Sequence, residues 1–147
     1  MFPAIKARFH FLFVLCLIPG TLVACTSNSS SGGSLTGVTW QLTEVKFDGQ
    51  STSNVISEPT NYTITFQTDG TANVKADCNM ASLTYTTSGK QLTIKAGPMT
   101  LAYCGSESLS NEFVQALQLA TSYTLQNSTL SINSGANGTM NFKQSQA

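Results

Sequence analysis

Charged side chains are scarce in this chain: Lys, Arg, Asp and Glu make up 10% of its 147 residues. The one histidine, His10, lies ahead of anything that reads as a folded domain. The chain beyond it therefore holds no Cys-His pair, no Ser-His-Asp set and no imidazole for a metal, and no glycine-rich loop is patterned to cradle phosphate. The acids are Glu44, Asp48, Glu58, Asp69, Asp77, Glu107 and Glu112. Asp69 belongs to a turn and Glu112 to a helix start, and no spacing pairs two of the others as glycosidase chemistry requires. An enzyme is not expected, and no motif asks for a cofactor or a metal. Nor is there an unbroken run of about 20 apolar residues, so no segment reads as a membrane-spanning helix.

The apolar residues that are concentrated lie at the N-terminus. Lys6 and Arg8 precede an apolar stretch from Phe9 to Ile18, Pro19-Gly20 break it, and "LVAC" closes at Cys25. Positive start, short apolar core and small residues at its end are signal-peptide anatomy. The ending resembles the bacterial lipobox, in which the cysteine thiol is alkylated with diacylglycerol and the chain is cut just ahead of it. The expectation is a signal peptide over residues 1–24 and a mature chain that starts at lipidated Cys25, carries palmitate-type acyl chains and is held at the membrane. Thr26 rather than Asp at the next position implies the outer membrane in a host that has two. Residues 26–34, "TSNSSSGGS", form a tether of Ser, Gly and other small polar residues that spans roughly 15–18 Å.

The mature chain keeps seven acids but only five basic residues, Lys46, Lys75, Lys90, Lys95 and Lys143, for a net charge of −2. With no basic stripe to neutralise phosphates, nucleic acid is excluded as an expected partner. Once Cys16 leaves with the signal and Cys25 carries lipid, Cys78 and Cys104 remain. Two thiols in an exported domain most simply form one disulfide. The alternative is a pair of buried free thiols acting as small hydrophobes.

From Leu35 onward the pattern is β. Val38, Trp40 and Leu42 alternate, with Val45 near the end of the set; Tyr62, Ile64 and Phe66 alternate strictly, as do Ala72, Val74 and Ala76. "LTY", "LTI", "YTL", "LSI" and "MNF" come next, apolar-polar-apolar triplets suited to a sheet with one wet face. Asp69-Gly70, Ser88-Gly89 and Asn127-Ser128 supply tight turns, and Asn137-Gly138 closes a longer loop. Around eight short strands in this order predict a mainly β fold: an antiparallel meander closed or nearly closed into a small barrel. Leu109, Phe113, Ala116 or Leu117, and Ala120 recur instead at helical spacing, with Ser108 or Ser110 as cap. One helix of about three turns is expected between the fifth and sixth strands, plugging or flanking the barrel.

"LTGVTWQL", "ADCN…TY…LTI", "MTLAYC" and "EFVQAL…YTL…LSI…MNF" resemble, in that order, the META domain, also called HslJ-like. The resemblance spans residues 35–143, and its most specific parts are Cys78-Asn79 and Thr100 with Cys104. It implies a small barrel-like fold with one helix in exported or lipid-anchored bacterial proteins. Members of the family are linked to heat shock and antibiotic resistance, and to virulence in some parasites, with no agreed biochemical activity. The family's pairing of Cys-Asn with a later Thr-x-x-x-Cys adds to the case for a Cys78–Cys104 bridge. Asp77 and Leu83 stand where the family usually has Gly.

The residues leave two roles for Asn79: facing a ligand, or bonding backbone groups at a strand bend. Trp40, at period two with Val38 and Leu42, is expected in the core rather than as a binding platform, and the resemblance implies a structural role for Trp40, Tyr85 and Thr100 as family-motif residues. The function expected is that of a non-catalytic, lipid-anchored protein of the cell envelope, an interaction or stress- and resistance-related module with an unidentified envelope protein as candidate partner. The alternative is a lipocalin-like carrier with a small apolar ligand inside the barrel.

Overall fold

The computed structural model describes residues 33–47, 49 and 51–146. The expected signal peptide, Cys25 and nearly all of the tether lie outside the described residues. The elements are β1 (Thr39–Lys46), β2 (Asn54–Val55), a 3-10 turn at Pro59–Asn61, β3 (Tyr62–Phe66), β4 (Thr71–Ala76), β5 (Asn79–Ser88) and β6 (Gln91–Lys95). Helix α1 (Ser110–Gln118) comes next, then β7 (Ser122–Gln126), β8 (Thr129–Asn133), a 3-10 turn at Gly135–Asn137 and β9 (Thr139–Gln144).

Strands β1 and β3 to β9 pair antiparallel in sequence order, and β1 closes on β9, from Trp40 opposite Gln144 to Lys46 opposite Thr139. The result is a closed eight-stranded antiparallel barrel. The short β2 pairs only with β1, at Glu44 and Val45, beyond the end of β3. It comes from "NV" within a run of Ser and Asn, where no alternation marks a strand. Because β2 adds to the count, the helix lies after the sixth strand, β6, and not after the fifth as expected.

Period two decides which side chains face inward. Tyr62, Ile64 and Phe66 of β3, Ala72, Val74 and Ala76 of β4, and Leu130 and Ile132 of β8 are all buried. In β1 the register against β9 shifts between Leu42 and Glu44. The extra residue of this bulge, Thr43, turns Val45 rather than Glu44 toward the core, which explains why Val45 sits out of phase in the sequence. Trp40 is fully buried, and its Nε1 donates to the Leu35 carbonyl at 3.0 Å, so the indole satisfies its one polar group.

The turns obey their chemistry with small offsets. Asp77-Cys78 join β4 to β5 with Asp77 at φ 60°. A positive φ at the first position of a two-residue loop is what a II′ hairpin demands, and Asp tolerates it where most side chains do not. The next hairpin is Gly89-Lys90, one residue later than expected, with Gly89 at φ 58°. Leu83 sits in mid-strand in β5, 1% exposed, so a side chain fills the barrel there.

Strands β6 and β7 pair only at Gln91 opposite Ser122 and diverge beyond it. Helix α1 packs on β4 and β6 and covers the barrel at that end. Phe113 meets the Tyr62 ring edge-on at 5.7 Å, and Leu117 is fully buried. The helix has nine residues, shorter than the three turns expected. Neither candidate serine is its N-cap: Leu109 holds that position without a side-chain cap, although the Ser108 hydroxyl accepts the Ser110 N–H at 3.3 Å.

Candidate functional site

A meander alternates its connections between the two ends of a barrel. One end carries the start of β1 and the loops β3–β4, β5–β6 and β7–β8. The other carries β4–β5, β8–β9, the segment before β3, and the long connection from β6 through α1. Cys78, Asn79 and Cys104 all lie at this second end.

Strand β5 begins at Asn79, and its first half is paired on one side with β4. On its other side runs a strap, residues 97–104, that continues β6. Ser82 N–H donates to the Pro98 carbonyl at 2.9 Å, Thr100 N–H donates to the Met80 carbonyl at 3.0 Å, and Ala81 lies opposite Met99. Gly97 opens the strap because a Cβ there would overlap the Ser82 carbonyl oxygen. Pro98 has no N–H to leave unpaired.

The next rung would need Cys78, but that residue has already turned into the hairpin. The Asn79 carboxamide supplies the rung instead. Its Oδ1 accepts from the Ala102 N–H at 2.8 Å, and its Nδ2 donates to the Ala102 carbonyl at 3.0 Å. Asn79 is 2% exposed. Its remaining capacity goes to the Thr100 hydroxyl, which donates to Oδ1 at 3.0 Å, and to the Ser110 hydroxyl, which accepts from Nδ2 at 3.1 Å. The Thr100 Oγ1 in turn accepts the Met80 N–H at 3.0 Å. One side chain thus ties β5, the strap and the start of α1 together, as the backbone-bonding role requires.

A Cys78–Cys104 disulfide with Cα atoms 5.6 Å apart pins the far end of the strap. Beside it the Tyr62 hydroxyl accepts the Leu109 N–H at 3.0 Å, fixing where the helix begins. Among the described residues no buried side-chain nitrogen or oxygen lacks a partner.

The strap holds its inner side tightly and leaves its outer side bare. Leu101 is 83% exposed and Tyr103 85% exposed, with Met80 at 55% on the neighbouring strand. Next to them an outer-face groove of about 520 Å³ runs between Asn73, Met80, Ser82, Pro98 and Thr100. At the end of the strap a second groove of about 460 Å³ is lined by Val55, Glu58, Tyr62, Asp77, Cys104 and Glu107, among others. Between α1 and the barrel, a recess lined by Leu42, Phe113, Met140 and Glu112, among others, measures about 10 Å³, room for one water at most.

The other residues singled out by sequence have local work to do. The Tyr85 hydroxyl donates to the Gln67 carbonyl at 2.6 Å, and its ring stands edge-on to Phe66 at 4.8 Å. Burial, then the nearby Asp69 charge, raise the Tyr85 pKa above its ordinary value. Asp69 is lowered, chiefly by the hydrogen bonds from the Thr71 hydroxyl and N–H, and Glu44 by its bonds from Ser53 and Asn141. Trp40 is core, far from the strap in sequence and in the barrel. Among the described residues no three His, Cys, Asp or Glu side chains converge to hold a metal, and no helix is long and apolar enough to cross a membrane.

What sequence reasoning passed over is the strap's outer side and the role of Ser110. Met99, Leu101 and Tyr103 alternate with Thr100 and Ala102, a period-two signal inside a stretch that the Gly-Pro made look irregular.

The META domain profile matches residues 33–147. The chain belongs to the META domain family. Its fold is shared with solved structures of low identity. A protein from Burkholderia xenovorans, determined by NMR, is 16% identical over 77% of this chain and 85% of its own, with a TM-score of 0.58. A crystal structure of a duf4847 family protein from Bacteroides vulgatus ATCC 8482 is 18% identical over 77% of this chain and 96% of its own, with a TM-score of 0.54. No curated protein matches the chain. Within the META domain, Cys78, Asn79, Thr100 and Cys104 are the residues that shape and hold the strap.

Proposed function

We propose that this protein is a non-catalytic module of the cell envelope, anchored through lipid on Cys25, that engages a partner protein through the strap end of its barrel. The observation that carries this reading is an apolar strap held rigid by a disulfide and a buried carboxamide, yet exposed at Leu101 and Tyr103. Large exposed apolar side chains on a rigid support are what interaction surfaces offer. Connection parity supports the arrangement: the tether joins the barrel at the start of β1, and the strap lies at the opposite end, away from the anchoring surface. The carrier alternative loses support from the filled interior, where Trp40, Leu42, Ile64, Phe66, Leu92 and Phe142 are at most 1% exposed. A domain without histidine, in which Asp69 and Asp77 sit in turns and Glu112 at a helix start, supports a binding role over catalysis.

Two measurements test this. Intact-mass analysis of the native protein should show a chain that begins at diacylglyceryl-modified Cys25; a mature N-terminus elsewhere without lipid rejects the anchor. A photo-cross-linking residue at Tyr103 should give a discrete adduct in intact cells, while the same residue at Ser128, on the tether end, should not. Equal labelling at both positions, or hydrolytic turnover abolished by Asp77→Asn in a folded protein, rejects the module.

A further inference from the structure

The strap is a β-strand edge with one side satisfied. Residues 98, 100 and 102 direct their backbone bonds inward, to Ser82, Met80 and the Asn79 side chain. Residues 99, 101 and 103 therefore direct theirs outward, and their N–H and C=O groups meet no partner among the described residues. An open edge of this kind is a template for another strand, and proteins usually guard such edges with charge, proline or a bulge. Here Pro98 guards only the start, and residues 96–106 carry no charge at all.

Resting on the strap-end reading above, we propose that residues 99–103 take an extended segment of the partner protein as an added antiparallel strand. The outward groups of Met99, Leu101 and Tyr103 form its ladder, two bonds to each hydrogen-bonded pair. Exposed Leu101 and Tyr103 then select a segment with apolar side chains at alternate positions and no charge along the strap.

Charge at the strap's end sets a further requirement. Glu58, Asp77 and Glu107 line the groove around Cys104, and among the described residues no ion pair is formed there: Lys75, on β4, bonds the Thr60 carbonyl and Asn61 Oδ1. The Tyr62 hydroxyl donates to Asp77 at 3.5 Å, and the Ser106 hydroxyl to Glu107 at 3.4 Å. A guest running antiparallel to the strap brings its N-terminal end to this groove, so the segment carries a Lys or Arg ahead of its apolar alternation. A second copy fits less well. Antiparallel pairing of two straps turns one barrel end over end, and the two tethers then point in opposite directions, which two chains anchored in one membrane cannot satisfy.

The test uses the full chain as isolated and a fluorescein-labelled synthetic peptide, lysine followed by alternating threonine and valine, read by anisotropy. Saturable binding is expected. N-methylation of the peptide amides that face the strap should weaken it roughly tenfold, the worth of one to two net hydrogen bonds, and methylation of the alternate amides should not. Leu101→Pro removes an N–H that has no bond to lose in the free protein, so the fold should survive and binding should fall by a similar factor. If that variant fails to fold, the methylated peptides still decide. Glu107→Gln should weaken the lysine peptide severalfold but leave its norleucine counterpart unchanged. Three results overturn the proposal: no saturable binding, equal affinity for both methylation patterns, or a dimer in sedimentation that Leu101→Pro dissolves, which would make a second copy the occupant. If Tyr103 cross-links in cells while this peptide fails to bind, the strap-end module stands and only the strand-pairing mode falls.

Discussion

Replacing Asn79 with Ala deletes the rung on which the end of the strap depends. The carboxamide bonds both the N–H and the C=O of Ala102, and also the Thr100 and Ser110 hydroxyls. A net hydrogen bond contributes about 1 kcal/mol, and a buried group left unpaired costs about 1–3 kcal/mol more. Ala102 is exposed, so water replaces part of what its backbone loses, whereas the Ser110 hydroxyl is buried and gains nothing in exchange. The expected loss is about 2–4 kcal/mol. With a urea m-value of about 2 kcal/mol/M, mid-range for a small domain, the unfolding midpoint falls by about 1–2 M at unchanged m. Thr100→Val should cost less, about 1 kcal/mol, since it strips one acceptor from the Met80 N–H and one donor to Asn79. Because the two side chains touch, the double variant should cost less than the sum of the singles, with a coupling of at least about 0.5 kcal/mol. A loss below about 0.5 kcal/mol for Asn79→Ala, or strict additivity with Thr100→Val, would refute the view that the carboxamide stands in for a backbone rung.

Reduction of Cys78–Cys104, or its replacement by two alanines, opens a loop of 26 residues and should cost on the order of 3–4 kcal/mol, read as a lower denaturation midpoint; equal midpoints with and without reductant would contradict this. Gly97→Ala drives a Cβ into the Ser82 carbonyl, and should speed hydrogen exchange at the Ser82 and Thr100 amides, which the strap pairing protects; unchanged exchange would show that the contact yields freely. Stability should also depend on pH at both extremes. The lowered carboxyls of Asp69 and Glu44 contribute stability above their unfolded pKa values that fades as pH falls through the folded ones, whereas the raised Tyr85 hydroxyl contributes below its unfolded pKa and is lost as pH rises through the folded value. Asp69→Asn should flatten the acid limb and Tyr85→Phe the alkaline one, both visible in thermal unfolding across pH.

The barrel itself was legible because its inward faces obey period two in short strands with turn residues between them. Tyr62, Ile64 and Phe66 could be read straight from the chain, and so could Ala72, Val74 and Ala76. What escaped has physical causes. The strand at Asn54–Val55 is two residues long, too short for an alternation to show, and Val55 is 80% exposed. Ser110 looked like a helix cap since Ser is usually one, but its hydroxyl turns inward to Asn79, a partner 31 residues away that no local pattern can announce. Asn79 bonds the backbone of Ala102, on a strap that meets β5 only after the chain has turned twice, so nothing local to Asn79 names that partner.

The same contacts connect stability to recognition. An isolated uncharged strand in water is mobile, and a guest that pairs with it must also order it, which subtracts from affinity. Here the ordering is already done: Gly97 and Pro98 fit the strap to β5, Asn79 carries the ladder one rung past the strand's end, and Cys104 is bound to Cys78. The outward amides stay hydrated at no net cost in the free protein, so the edge is tolerated there and becomes favourable only when a strand takes the place of water. Under the strand-pairing proposal, loosening the strap should therefore weaken guest binding even where no contact to the guest is touched. Asn79→Ala is the sharpest case, since its side chain faces inward, 2% exposed, while Leu101 and Tyr103 face out. Its effect should appear as slower association and lower affinity in proportion to the disorder gained by residues 99–103. An Asn79→Ala protein that stays folded, exchanges its strap amides freely and still binds the peptide at full strength would separate the two roles and remove preorganisation from the account.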